Sequence, residues 1–107
     1  RSYSVTGVQT CALPISKVVL YPNYPNPFNP STNISFCLSD LIPVTLCVYN
    51  IKGQLVRTLI DSVSSKGITT VIWDGKDNKN LQVGSGLYYA KLSYPDGAIV
   101  HKMIMIK

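Results

Sequence analysis

Between Asn33 and Lys107 apolar residues recur at every second position, in short runs broken by turn residues, and nowhere at helical spacing. That pattern dictates strands. "NISFCL" (Asn33–Leu38) sets Ile34, Phe36 and Leu38 on one face and Ser35 and Cys37 on the other. "VTLCVYNI" (Val44–Ile51) repeats it with Val44, Leu46 and Val48. The short link Ser39–Pro43 predicts that these two runs form a hairpin or neighbouring strands. "NIKGQ" (Asn50–Gln54) reads as a turn, with Gly53 in the left-handed conformation that a short hairpin needs. "LVRTLI" (Leu55–Ile60) and "ITTVIW" (Ile68–Trp73) follow, separated by the polar loop Asp61–Gly67. "SGLYYAKLSY" (Ser85–Tyr94) places Tyr88, Ala90 and Leu92 on one face, and "PDG" (Pro95–Gly97) turns into the last strand, Ala98–Lys107. With a short apolar start at Lys17–Leu20 this makes about seven strands, the signature of an all-β sandwich. Trp73, the single tryptophan, is expected to plug its core, with Tyr88, Gly53 and Gly86 as the other structural core positions.

A chain of 107 residues allows one domain. Only 14% of residues are charged, which fits a compact fold. The net charge of +5 comes from scattered lysines and arginines with no run and no basic stripe between stacking aromatics, so nucleic-acid binding is not expected. A weak attraction to anionic cell-surface polymers is all that the charge implies. No apolar run reaches membrane-spanning length.

The first sixteen residues stand apart. "VTGVQTCALPI" (Val5–Ile15) has neither strand alternation nor the layout of a signal peptide, and it matches the in-frame translation of a widely used sequencing-adapter oligonucleotide. Residues 1–16 are therefore expected to be foreign to the natural protein, which starts near Lys17 as a fragment of a longer chain. Cys11 falls in that foreign run. Cys37 and Cys47 are expected on neighbouring strands, facing outward as a diagonal pair about 7–8 Å apart, hence as two separate thiols.

"YPNYPNPFNP" (Tyr21–Pro30) carries Pro22, Pro25, Pro27 and Pro30. Each proline fixes φ and lacks an N–H, and Asn26 and Asn29 are restricted by the proline that follows. Residues 17–31 are thus expected as a stiff, polyproline-like lead or linker, with Tyr24 and Phe28 packing one face onto a β-sandwich domain at 32–107. The lead is expected to shield the first edge of the sheet.

Catalytic chemistry finds little support. His101 is the only histidine and sits mid-strand without a nucleophile placed beside it. Asp74, Asp77 and Asn78 lack calcium-loop spacing and a closing glutamate, so a solvated turn is expected. No CxxC pair, phosphate-cradling glycine loop or carboxylate pair occurs. "NIS" (Asn33–Ser35) matches a glycosylation sequon, a pattern too short to carry weight. No enzyme activity and no cofactor are expected.

In order along the chain, "NYPNPFNPSTNISF", "VTLCVYNIKGQLVRTL", "VIWDGKD", "SGLYYAKL" and the terminal "KMIMIK" resemble the type A C-terminal sorting domain of the type IX (Por) secretion system, related to the immunoglobulin-like domain of flagellar hook-capping proteins. The resemblance covers Tyr24–Lys107 and implies an immunoglobulin-like antiparallel β-sandwich. It implies a covalently attached upstream cargo, carried through the outer membrane of a Gram-negative bacterium by a translocon. A sortase-like enzyme then commonly cleaves the domain off as the cargo is anchored to surface lipopolysaccharide. Localisation would be secreted or cell-surface, by way of the periplasm. By the same resemblance Lys102, Met103, Ile104, Met105, Ile106 and Lys107 form the recognition segment, and Asn23, Tyr24, Pro25, Asn26, Pro27, Phe28, Asn29 and Pro30 the opening motif. Asn80 stands where the family usually has Gly, and Thr69 where His is frequent. An exposed edge on the last strand would suit recognition by strand addition. The alternative is an immunoglobulin-like spacer or adhesion module with no export role; a piece of a hydrolase is the poorest reading.

Overall fold

The computed structural model describes residues 18–106, apart from the side chains of 40, 64 and 65. The expectations for residues 1–17 and for Lys107 lie outside the described residues. The described residues form five antiparallel strands: β1 (Val18–Leu20), β2 (Thr32–Asn50), β3 (Leu55–Trp73), β4 (Gly86–Tyr94) and β5 (Gly97–Met105).

Strands β2 and β3 are each 19 residues long. Straight, each would span about 60 Å, yet the longest dimension of the molecule is 38 Å. Both must bend, and the sequence supplies the means. Register shifts fall between Leu38 and Ile42 and between Val44 and Leu46 of β2, opposite Ser62 and Gly67 of β3, which take φ of 52° and 87°. Past the corner each strand joins the other sheet. One sheet holds β1, the first half of β2 and the second half of β3; the other holds the first half of β3, the second half of β2, β4 and β5. The result is a sandwich of two antiparallel sheets with seven strand segments, as the alternation predicts.

Two expected connections are therefore corrected. Asn33–Leu38 and Val44–Ile51 are not a hairpin but two halves of β2, and Asp61–Gly67 is the corner of β3 rather than a loop. At the corner the strand leaves one sheet before it is covered by the other. Asp61, Ser62 and Val63 are accordingly exposed, and a polar bend reads like a turn. The turn expected at Asn50–Gln54 does form a hairpin, where Gly53 has φ 80° and the Asn50 side chain accepts from the N–H groups of Lys52 (2.9 Å) and Gln54 (3.0 Å).

The inward sets that the alternation predicts are found in the core. Ile34, Phe36, Leu38, Val44, Leu46 and Val48 of β2 all point into the core, and Ala90 and Leu92 of β4 meet them with Met103 and Met105 of β5. Trp73 is fully buried and donates through Nε1 to the carbonyl of Lys76 at 3.0 Å. Phe28 and Tyr88 flank it, with ring centroids 5.5 and 5.3 Å away and tilted planes, the favoured aromatic geometry. Gly53 and Gly86, by contrast, are exposed and lie outside the core.

The cysteine geometry is also corrected. Cys37 and Cys47 lie ten residues apart on the same strand, on different sheets, because their two runs are one strand. Both are buried, and Cys47 is a free thiol 3.9 Å from the Thr58 hydroxyl.

Tyr88 ties the core to the loop before β4, its hydroxyl donating to the carbonyl of Gly84 at 2.6 Å. Burial raises its pKa above the ordinary 10.0. A folded-state value above the unfolded one means stability is complete below the unfolded pKa and falls as pH rises past it. Thermal melts should therefore steepen in their pH dependence above about pH 10, and Tyr88→Phe should flatten that slope. An unchanged slope in Tyr88→Phe would refute the assignment.

Candidate functional site

The two segments singled out by resemblance, Asn23–Pro30 and Lys102–Ile106, are far apart in sequence and adjacent in space. The stretch before β2 is bent rather than polyproline-like, with cis peptides preceding Pro25, Pro27 and Pro30. Its start is fixed by a small polar knot. Asn23 is buried, and its Nδ2 donates to the Thr32 hydroxyl (3.0 Å) and the Pro25 carbonyl (3.2 Å), while the Thr32 hydroxyl donates to that same carbonyl (2.8 Å). These donors fix the amide orientation and leave Asn23 Oδ1 buried with no partner among the described residues. Tyr24 exchanges backbone hydrogen bonds with Asn33 at 3.0 and 2.8 Å. Its ring does not pack on the domain as expected: it is 78% exposed, because that backbone pairing turns it to solvent.

Asn26 and Phe28 then close the edge of β5. Asn26 Oδ1 accepts from the Ile104 N–H at 2.9 Å, and its Nδ2 donates to the Lys102 carbonyl at 3.4 Å. The Phe28 N–H donates to the Ile104 carbonyl and its own carbonyl accepts from the Ile106 N–H, both at 2.9 Å. Phe28 thus occupies the place of a residue in a parallel strand beside Met105. Its ring, 2% exposed, anchors the contact from inside against Trp73. Pro25, Asn26, Pro27, Asn29 and Pro30 are exposed. The lead therefore shields the last strand's edge as well as the first, where Tyr21 bonds Ser35 and Tyr24 bonds Asn33, and it is a built-in part of the sandwich. The expected open backbone edge at the end of β5 is taken in cis.

Within Lys102–Ile106 the side chains alternate. Met103 and Met105 are buried, while Lys102, Ile104 and Ile106 face out. His101 sits just before them, half-buried, with Nε2 2.7 Å from the Leu20 carbonyl.

The Asp74–Asn80 loop closes another edge. Asn78 N–H donates to the Val56 carbonyl (2.9 Å) and Asn78 Oδ1 accepts from the Thr58 N–H (3.0 Å). Asp77 Oδ1 accepts from the N–H groups of Lys79 and Leu81, at 2.9 and 3.0 Å, so that carboxylate builds the turn. Asn80 takes the left-handed φ of 66° that glycine normally supplies. Sequence reasoning missed Gly75. It is buried at φ 77°, its carbonyl accepting from Val83 N–H and Gln82 Nε2 at 2.9 Å each, where the loop, Pro30 and Met105 converge. The only legible signal was the Asp-Gly dipeptide, which marks a turn but not its burial.

A family model described as the FlgD Ig-like domain matches residues 28–98. Among solved structures, the chain resembles dimeric latent PorU from Porphyromonas gingivalis, with a TM-score of 0.64 at 20% identity over 87% of this chain. It also resembles PorZ, described as an essential bacterial surface component of the type IX secretion system of Porphyromonas gingivalis, with a TM-score of 0.55 at 16% identity over 84% of this chain. At these identities the likeness is one of fold. The chain spans 10% of the PorU chain and 11% of the PorZ chain. No curated protein matches it.

Proposed function

The chain belongs to the FlgD Ig-like domain family, and from that premise we propose that it works, without catalysis, as a C-terminal sorting domain of the type IX secretion system. It would carry an upstream cargo through the outer membrane to the cell surface or the medium, with an outer-membrane translocon and a sortase-like enzyme as partners. The observation that carries this reading is the seam. The two segments that resemble sorting motifs are joined by four hydrogen bonds, through Asn26 and Phe28, into one surface feature. The PorZ likeness adds a neighbour described as part of that system. The groups that catalysis might use are engaged structurally: His101 on Leu20, Asp77 on its own loop.

Trimming Lys102–Lys107 is a poor test, because it removes Met103 and Met105 from the core. The better experiment fuses the whole chain behind a signal peptide and a fluorescent reporter. The fusion is placed in a host with a working type IX system and in the same host with the translocon disabled. Reporter outside the cell only in the first host is the expected result. Periplasmic reporter in both, with the domain folded, would favour an immunoglobulin-like spacer module.

A further inference from the structure

We propose that the partner reads β5 through its outward side chains rather than its backbone edge, on a face formed by Val100, Lys102 and Ile104 with Tyr89 and Lys91 of β4. This rests on the sorting reading above and names the surface and partner chemistry for it. Strand addition needs free edge groups. At the end of β5 the Lys102 carbonyl, the Ile104 N–H and carbonyl, and the Ile106 N–H are already engaged by Asn26 and Phe28. An incoming strand would have to expel Phe28 from beside Trp73. What remains accessible is a stripe set by strand alternation. Val100 is 52% and Ile104 37% exposed, with Lys102 exposed between them. The register puts Tyr89 opposite Lys102 and Lys91 opposite Val100, so the stripe continues onto β4. There a trough of ≈310 Å³ runs from Val100 and Lys91 past Tyr89 and Tyr49 to Ile51. The Lys91 ammonium lies 5.9 Å from the Tyr49 ring centroid.

The charge of the face selects the occupant. The outward positions of β4 and β5 carry lysine, tyrosine, serine and aliphatic residues and no acid. No ion pair engages Lys91 or Lys102 among the described residues. The complementary surface is a protein groove carrying aliphatic side chains flanked by carboxylates. Asn26 and Phe28 are positioning residues: they hold the end of β5 in place through its backbone.

The test uses the whole-chain reporter fusion. Val100→Ser with Ile104→Ser removes the apolar stripe and leaves every seam hydrogen bond in place. Lys91→Glu with Lys102→Glu reverses the charge at partly or fully exposed positions and guards against misfolding of the first pair. Each pair should lower export by about tenfold or more while Trp73 emission stays native. Asn26→Ala should raise amide exchange at Ile104 about tenfold and lower export, because the stripe is loosened. Unaltered export in both paired variants overturns the inference alone. Export above the unaltered level in Asn26→Ala also overturns it, since an opened edge would then be what is read. Export of the unaltered fusion that does not depend on the secretion machinery overturns the sorting reading and this inference with it.

Discussion

A chain trimmed to begin at Thr32 is expected to lose its cooperative fold. The sequence places a domain boundary there, because four prolines upstream exclude a central strand. The structure places three core side chains before it: Val18, Leu20 and Phe28, exposed by 3, 5 and 2%. Each contributes about 1.5–3 kcal/mol by burial, together about 5–9 kcal/mol. A domain of this size has about 5–15 kcal/mol in total. Losses beyond the side chains act in the same direction. The inner side of the aromatic stack opens at Trp73, the β1 ladder to Leu20↔Phe36 disappears, and the β5 edge is left bare. The comparison is with a chain starting at Val18. Urea unfolding followed by Trp73 fluorescence should show a sigmoidal transition for the longer chain and none for the shorter. Equal midpoints would mean that the lead is an accessory, and the seam would then have no claim to organise the terminal strand.

The sequence showed which side chains face inward better than it showed how the strands connect. Alternation survives bending, so Ile34 through Val48 were legible as one inward set although the chain changes sheets between Leu38 and Val44. The corner itself was not legible. Pro43 and the polar residues from Asp61 serve a hairpin or a bulged bend equally well, and only the partner strand decides. A left-handed position was legible where local chemistry demands it, as at Gly53. The seam was not, because Asn26 and Ile104 are 78 residues apart and no periodicity links an amide side chain to a distant edge. Exposure misled in both directions for related reasons. Tyr24 and Phe28 look equivalent in "NYPNPF", yet pairing of Tyr24 with Asn33 turns one ring out while Phe28 closes over Trp73. Cys37 shares a polar-looking face with Ser35 and is nonetheless fully buried.

Gly75→Ala is expected to cost about 2–5 kcal/mol, a large share of the domain's stability, through two separate causes. At φ 77° a residue with a Cβ is held in the left-handed region, costing about 1–2 kcal/mol. The added methyl would also stand 2.8 Å from the Pro30 carbonyl and 2.7 Å from Gln82 Nε2, and would collide with the Met105 methyl. Gln82 and Met105 can swing aside. Pro30 belongs to the backbone, flanked by Phe28 on the β5 edge and Thr32 at the head of β2, so relief there pulls on the seam, adding an overpacking cost of about 1–3 kcal/mol. Gly53→Ala separates the causes. Gly53 has a similar φ of 80° with nothing within 4 Å of a Cβ, so it should show the backbone term alone. Chemical denaturation of the two variants should therefore place Gly75→Ala below Gly53→Ala by the overpacking cost. Faster exchange at the Ile104 and Ile106 amides should appear only in Gly75→Ala. Equal losses, with those amides protected alike, would mean that the Gly75 loop is not part of the device that holds the terminal strand.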